Sequence, residues 1–187
     1  MRRTLVLLLY ILTLARAFPA AQALAEPPVL RVALENEPLS LDWNDPRTPS
    51  DRFLASFFMR GLLKYDGAGK PVCDLCTSYR VSTDGKIYRF DLNPKELWSD
   101  GDKIDSSHFV DSFRRLLSPS HRFKSADEYR IIAGAEQTGH AWDPKNLEVS
   151  GTDPFHLEIK LKHPSSVFNF LLTKAASFPI RKNFCKG

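Results

Sequence analysis

Two cysteines, Cys73 and Cys76, stand three residues apart and are the side chains best suited to redox or metal chemistry. A C-x-x-C pair can exchange disulfides or supply half of a zinc site. Thiol exchange of the thioredoxin type needs a helix that opens at the pair, whereas the pattern here predicts a strand over 77–81. A zinc site needs two more ligands at matching spacing, and Cys185 is distant. We expect two buried small residues or a local disulfide formed on export, and no metal site; the alternative is an exported thiol–disulfide protein that uses this pair.

The other groups capable of acid–base or metal chemistry are spread along the chain. None of the histidines lies at ligand spacing from another; they are His108, His121, His140, His156 and His163. No carboxylate pair stands out as an acid–base dyad, and the sequence contains neither a G-x-S-x-G motif nor a glycine loop for phosphate. We therefore expect no catalytic residue, no cofactor and no enzymatic activity.

The segment that follows the cysteines predicts a β-hairpin and a helix. Apolar and polar residues alternate on both sides of Asp84-Gly85, which predicts a hairpin over 77–92 with a tight turn at the glycine. After a second turn at Asp100-Gly101, apolar residues at helical spacing predict a helix over 107–117. Either Asp105 or the serine after it can cap this helix.

Shorter apolar segments complete a mixed α and β domain. They predict a strand over 29–34, a helix from Phe53 to Leu63 with Ser50 or Asp51 as its N-cap, a short helix over 125–133, a strand pair over 147–149 and 155–161 joined through 151–154, a short helix capped by Ser165 or Ser166, and an extended segment over 177–180.

The N-terminus has the regions of a secretory signal peptide. Arginines at 2–3 precede an apolar run over 5–14, and a small-x-small cleavage motif follows. The run is too short to span the roughly 30 Å of a bilayer core. We predict that residues 1–25 are removed on export to a periplasm, with cleavage after Ala17 or Ala20 as the alternatives.

The charge of the chain belongs largely to that signal. The formal net charge is +4, and the only charged residues of the signal are three arginines, so the mature chain carries about +1. No basic stripe with interleaved aromatic residues is present, which argues against nucleic-acid binding. The mature length is sufficient to bury one sizeable core.

The order and spacing of these motifs resemble one family. The run Ser82-Thr-Asp-Gly-Lys86, Trp98-Ser-Asp-Gly101 and Phe109-Val-Asp-Ser112 resembles the oligopeptide/dipeptide group (family 5) of extracytoplasmic solute-binding proteins, which serve ABC importers. The resemblance begins upstream with Leu30-Arg-Val32 and Glu37-Pro-Leu-Ser-Leu-Asp42, and Trp43 replaces the family's usual proline. It covers almost the whole mature chain.

The resemblance implies an α/β fold: a periplasmic-binding-protein type II-like clamshell with an α+β subdomain inserted in lobe I. After the signal peptide 1–25, it implies that 26–187 is the N-terminal portion only. Within that portion it assigns 29–45 to the first strand of lobe I, 46–162 to the extra subdomain and 163–187 to a truncated return into lobe I. We therefore expect a fragment or an interrupted reading frame.

The resemblance also implies a role in transport. Family members bind a peptide between two lobes and deliver it to an ABC permease in the inner membrane. The segment after Asp42 maps the ligand contacts onto Arg47, Thr48 and Pro49, and a second cleft-lining region maps onto Phe123. A plain solvated loop is the alternative for all four. The ligand itself, an oligopeptide, a dipeptide, a nickel chelate, haem or a sugar, stays open.

Overall fold

The computed structural model describes residues 29–135 and 143–181. Within these ranges the strands form a two-stranded sheet and a four-stranded sheet, and helices and two short 3-10 turns connect them. In chain order they are α1 (Pro49–Phe58), β1 (Leu63–Tyr65), β2 (Pro71–Cys73), β3 (Cys76–Val81), β4 (Ile87–Leu92), α2 (Ser106–Leu117), α3 (Ala126–Tyr129), the 3-10 turn Pro144–Asn146, β5 (Val149–Asp153), β6 (His156–Lys160), α4 (Phe168–Leu171) and the 3-10 turn Ala175–Ser177.

The larger sheet is antiparallel throughout, with the strand order β3–β4–β6–β5. The predicted hairpin is confirmed as β3 and β4, and Gly85 takes the positive φ of +70° that its turn requires. Phe90 stands opposite Tyr79 on one side and Leu157 on the other, so large apolar residues meet on one face of the sheet. Charged residues such as Arg89 and Glu158 lie on the opposite face, where they form an ion pair.

Helix α2 covers the apolar face of this sheet. Its N-cap is Asp105, as predicted, and a capping box forms because the backbone N–H of Asp105 also donates to His108 Nδ1 at 3.0 Å. The buried side chains of α2 include Phe109 and Phe113, both of which have 0% exposure. The main core therefore lies between α2 and the sheet, and a small second cluster forms where Phe178 packs against α1.

Helix α1 differs from its prediction at both ends. Its N-cap is Thr48 rather than Ser50 or Asp51, because Asp51 is the N3 residue of a capping box with Thr48. The helix ends at Phe58, and the chain is extended where helical spacing had suggested continuation to Leu63. A Cβ atom at Gly61 would lie 2.4 Å from the Phe178 ring, so close packing there requires glycine.

The prediction of a strand over 29–34 is wrong, since these residues adopt no regular secondary structure. Val29 and Leu30 are about three-quarters exposed. A strand needs a neighbour for its backbone hydrogen bonds, and none of the strands in the described part of the chain pairs with this segment.

The shorter elements mostly match their predictions, with smaller bounds. Helix α3 occupies only four of the residues predicted over 125–133. Strand β5 continues to Asp153, so the connection to β6 is shorter than predicted. Helix α4 forms, but its N-cap is Val167 and neither predicted serine caps it.

The predicted signal peptide, 1–25, lies outside the described residues, as does the C-terminal segment 182–187. Within the ranges that the structure does describe, no helix combines the length and apolar character needed to cross a bilayer.

Candidate functional site

The loop that precedes α1 is organised around the carboxylate of Asp51. This side chain accepts hydrogen bonds from the backbone N–H groups of Leu39 (2.8 Å), Arg47 (2.8 Å) and Thr48 (2.9 Å), and from Thr48 Oγ1 (2.8 Å). Burial alone would raise the pKa of Asp51, but the hydrogen bonds from Thr48, Arg47 and Leu39 outweigh it and hold that pKa far below the usual range. One ionised carboxylate therefore fixes the loop over 39–51, which we call the Asp51 loop.

A second charged contact holds the same loop onto α2. The Arg115 guanidinium forms a two-pronged ion pair with the carboxylate of Asp42, with Nη1–Oδ1 at 2.9 Å. Its Nη1 also donates to Asn44 Oδ1 at 2.8 Å. The guanidinium carbon lies 4.8 Å from the centre of the Phe123 ring, which is a cation–π distance. Arg115 thus contacts both regions in which sequence predicted ligand contacts.

Below this ion pair, a buried polar network anchors the turn. Asn44 is fully buried, and its Nδ2 donates to Ser112 Oγ at 3.1 Å and to the carbonyl oxygen of Ala176 at 2.8 Å. Ser112 Oγ in turn donates to the carbonyl oxygen of Phe178 at 2.6 Å. Because all of these groups are buried and paired, displacement of the turn would leave several of them unsatisfied.

A cleft of about 840 Å³ opens beside the Asp51 loop. Most of its wall is apolar, and Asp42 and Arg115 form part of its polar lining. The lining residues are Leu41, Asp42, Trp43, Phe58, Met59, Arg60, Leu75, Leu97, Trp98, Ser99, Ile104, Arg115, Pro179, Ile180 and Arg181. The size and the apolar wall with a few polar groups are typical of ligand sites.

The arginines at the cleft are neutralised by nearby carboxylates. Arg60 donates to Asp74 Oδ1 at 2.8 Å and also pairs with Glu96. Arg181 pairs with Asp100 and with a neighbouring aspartate. These pairings reduce the demand of the cleft for an anionic occupant.

The structure brings the three predicted contacts of the Asp51 loop to the start of α1. Thr48 is half-buried and its hydroxyl and backbone N–H are both bonded to Asp51, so its polar groups serve the helix cap. Pro49 is exposed as the first helical residue. Arg47 has a side chain that is 63% exposed, and it forms an ion pair with Asp45 at 3.1 Å. Of the three, Arg47 is the one that presents a charged side chain to solvent.

The fourth predicted contact, Phe123, lies in the loop between α2 and α3. Its ring is half-buried, packs against the main core and stacks on His121 with 5.0 Å between ring centres. The preceding residue, Arg122, has a φ of +51°, which is unusual for a residue other than glycine.

Sequence reasoning missed Asp51, Asn44 and Arg115 as organising residues. A signal for Asp51 was present, since Thr48 and Asp51 have the spacing of a capping box. No local signal indicates Arg115, because its contact with Asp42 joins residues 73 positions apart.

Cys73 and Cys76 are joined by a disulfide, which the sequence had left open beside a pair of buried small residues. Cys73 ends β2 and Cys76 begins β3, so the motif joins two strands and no helix opens at it. Cys76 is also buried. This geometry favours a structural crosslink over thiol exchange. In the described ranges, no group of three or more His, Cys, Asp or Glu side chains could hold a metal ion.

Comparison with known proteins identifies the family. Residues 70–186 match the family described as "Bacterial extracellular solute-binding proteins, family 5 Middle". The match takes in more than half of the chain, and the chain therefore belongs to this family.

Individual relatives are similar at moderate identity. The periplasmic murein peptide-binding protein MppA of Escherichia coli (strain K12) is 29% identical over 176 residues, which are 91% of this chain and 32% of that protein. The dipeptide-binding protein of Lactococcus lactis subsp. cremoris is 28% identical over 127 residues, which are 64% of this chain and 22% of that protein. The chain thus spans about a third or less of the length of these relatives.

Solved structures confirm the fold class. The substrate-binding domain of an oligopeptide ABC transporter from Bacillus anthracis superposes with a TM-score of 0.73 at 27% identity, over 77% of this chain and 28% of that one. The unliganded open form of MppA gives a TM-score of 0.74 at 27% identity, over 80% of this chain and 29% of that one. The described fold is therefore part of a periplasmic-binding-protein type II clamshell, as the resemblance implied.

Proposed function

We propose that this chain is part of an exported substrate-binding protein that binds peptides and delivers them to an ABC permease. Its membership of a solute-binding family supports a role in binding rather than in chemical conversion. The names of the first relatives refer to a murein peptide and to dipeptides, which supports peptides as the ligand class. The same family relationship supports export and delivery to a permease.

The observation that carries the proposal is the Asp51 loop beside the apolar cleft. A ligand site must hold its contacting groups in place before the ligand arrives, since ordering them on binding costs affinity. Asp51 and Arg115 provide this order through charged hydrogen bonds. The loop presents the exposed guanidinium of Arg47, which pairs with Asp45 through Nε. Donation from this group to a carbonyl or carboxylate oxygen would fit a peptide ligand.

Other relatives carry names that refer to nickel or glutathione, so the ligand class needs a direct comparison. Nickel has less support, because the described residues contain no cluster of metal-ligating side chains. The length of the peptide stays open. The proposal requires one ligand cleft that accepts peptides and rejects a bare metal ion.

The test is calorimetric titration of the full-length exported product, whose intact mass is first compared with that of residues 26–187. The probes are murein tripeptide, trialanine, dialanine, glutathione and Ni²⁺. We expect saturable binding of at least one tripeptide or dipeptide. Glutathione is itself a tripeptide, so its binding would agree with the proposal, whereas binding of Ni²⁺ without any of the peptides would contradict it.

A pair of arginine variants locates the site. Arg47→Ala removes the exposed cation of the Asp51 loop and should weaken binding of the preferred peptide at least about fivefold. Arg52→Ala removes another exposed arginine, from α1, and is the matched control. If the two variants bound the peptide with equal affinity, Arg47 would not be a ligand contact.

A further inference from the structure

Arg115 occupies an unusual position for a charged residue near the end of α2. Its side chain is only 17% exposed, whereas that of the neighbouring Arg114 is 40% exposed. Three residues of the same turn, Phe113, Leu116 and Leu117, are buried in the main core. The helix therefore holds the stem of Arg115 against the body of the protein, and the guanidinium reaches two separate loops.

The first loop is held by the planar fork of the guanidinium. Both terminal nitrogens of Arg115 contact the carboxylate of Asp42, and Nη1 also donates to Asn44 Oδ1 at 2.8 Å. Within this turn, the backbone N–H of Asp45 donates to the carbonyl oxygen of Asp42 at 3.0 Å. The side chain of Asp45 in turn forms an ion pair with Arg47 at 3.1 Å. A direct series of contacts thus connects Arg115 to the exposed cation of the Asp51 loop.

The second loop is held by the face of the same group. The guanidinium carbon lies 4.8 Å from the Phe123 ring centre, and Phe123 is stacked on His121 on the loop that follows α2. A lysine at position 115 would keep the charge but lose the bidentate fork and the flat surface for stacking. The geometry of arginine, and not only its charge, therefore joins the two loops.

We propose that Arg115 is a positioning residue that fixes the Asp51 loop and the Phe123 loop (118–125) relative to each other. Under the proposed function, on which this step rests, it makes the two predicted ligand-contacting regions into one preformed surface. Arg115 does not need to touch the ligand for this role. Loss of its fork should loosen both loops together and weaken ligand binding, while the sheet stays intact.

The test measures hydrogen exchange and peptide affinity on the full-length exported product. Arg115→Lys should raise the exchange rates of both 42–49 and 118–125 at least about fivefold and leave β4 and β6 unchanged. The same variant should weaken binding of trialanine, or of whichever peptide binds best in the panel, about tenfold. Arg114→Lys, the same change one position earlier on α2, is the matched control and should alter neither quantity.

Two further variants separate coupling from general destabilisation. Asp42→Asn should loosen the Asp51 loop and reproduce part of the effect on 118–125, whereas Phe123→Leu should loosen 118–125 and part of 42–49. In combination with Arg115→Lys, either change should add little, because the contact is already lost. Fully additive effects would overturn the proposal.

Each outcome has a distinct meaning. If Arg115→Lys loosens only one loop, or neither, the coupling role of Arg115 is overturned. If both loops loosen while the wild-type protein binds no peptide in the panel, the coupling stands and the proposed function fails. If Arg114→Lys weakens peptide binding as much as Arg115→Lys does, any such change on α2 lowers the affinity, and the positioning role of Arg115 is overturned.

Discussion

The sheet with α2 and the Asp51 loop are held together by different forces. Between the sheet and α2, fully buried apolar side chains such as Phe90, Phe109 and Phe113 supply the cohesion. In the Asp51 loop, Leu39 and Leu41 are about 70% exposed, and charged hydrogen bonds to Asp51 supply the order. A core of the first kind responds to volume changes, whereas a loop of the second kind responds to pH and to loss of a charge. One molecule therefore combines a body held by apolar packing with a loop that ionic contacts hold in place.

The largest expected effect is on the body. Phe113→Ala removes a fully buried ring that packs on Tyr129 with 6.0 Å between ring centres. We expect the free energy of unfolding to fall by about 3–5 kcal/mol in denaturant titration. Phe57→Ala, the same change on an α1 side chain that is 52% exposed, is the control and should cost far less. Equal losses in the two variants would contradict the division into a buried body and an exposed helix face.

The disulfide should have the next largest effect. Replacement of Cys73 and Cys76 together by serine opens a crosslink that closes a very short loop, so loop-closure entropy predicts a loss of about 2 kcal/mol. Cys185→Ser is the matched control. Reductant should lower the free energy of unfolding of the wild-type protein by a similar amount and leave the double variant unchanged. Rapid disulfide exchange between this pair and a protein dithiol would instead support the thiol–disulfide alternative.

Most of the body could be predicted from the sequence, because its signals are local. The hairpin depends on the alternation around Gly85, and α2 depends on its cap at Asp105 and on apolar residues at helical spacing. The end of α1 was missed because apolar residues continue at helical spacing beyond Phe58, where the chain is extended. The close packing of Gly61 on Phe178, 117 positions away in the chain, has no local signal either. The organising role of Arg115 was missed for the same reason, because its contact with Asp42 joins distant parts of the chain and no local pattern indicates it.

The Asp51 loop should respond to loss of one carboxylate without unfolding of the body. Asp51→Asn keeps the shape of the side chain but replaces one acceptor oxygen by an NH₂ group, which is a donor. Because backbone N–H groups donate to both oxygens of Asp51, the NH₂ group would face another donor and one hydrogen bond would be lost. We expect exchange in 39–51 to rise about tenfold, with β4 and β6 unchanged. Asp127→Asn, at an exposed position on α3, is the control. A uniform rise over the whole molecule would show that the loop is not a separate unit of stability.

The same carboxylate predicts a pH dependence confined to the loop. Burial would raise the pKa of Asp51, but hydrogen bonds from Thr48, Arg47 and Leu39 lower it below its value in the unfolded chain. The native state then binds fewer protons than the unfolded state, so the stabilisation is complete above the ordinary aspartate pKa of about 4 and is lost as the pH falls below it. Exchange in 39–51, corrected for its intrinsic rate, should begin to rise as the pH falls below about 4 and should continue to rise below about pH 3. Asp51→Asn should abolish this rise.

The smallest effect is expected on the charged face of the sheet. Arg89 pairs with Glu158 at 2.7 Å, but the Arg89 side chain is half-exposed. Exposed pairs of this kind contribute less than about 1 kcal/mol. Arg89→Gln and Glu158→Gln, alone and together, should give a coupling energy below that limit in a double-mutant cycle. A larger coupling would mean that ionic contacts also hold the body together.

The most direct test of the account is to map where a bound peptide touches the protein. A peptide from the panel that binds, remade with p-benzoylphenylalanine at one position, is cross-linked by light to the full-length exported product, and the modified residues are identified by mass spectrometry. The account predicts cross-links to the Asp51 loop near Arg47 and to the Phe123 loop, which excess unlabelled peptide suppresses. Suppressible cross-links that map only to the charged outer face of the sheet would contradict it.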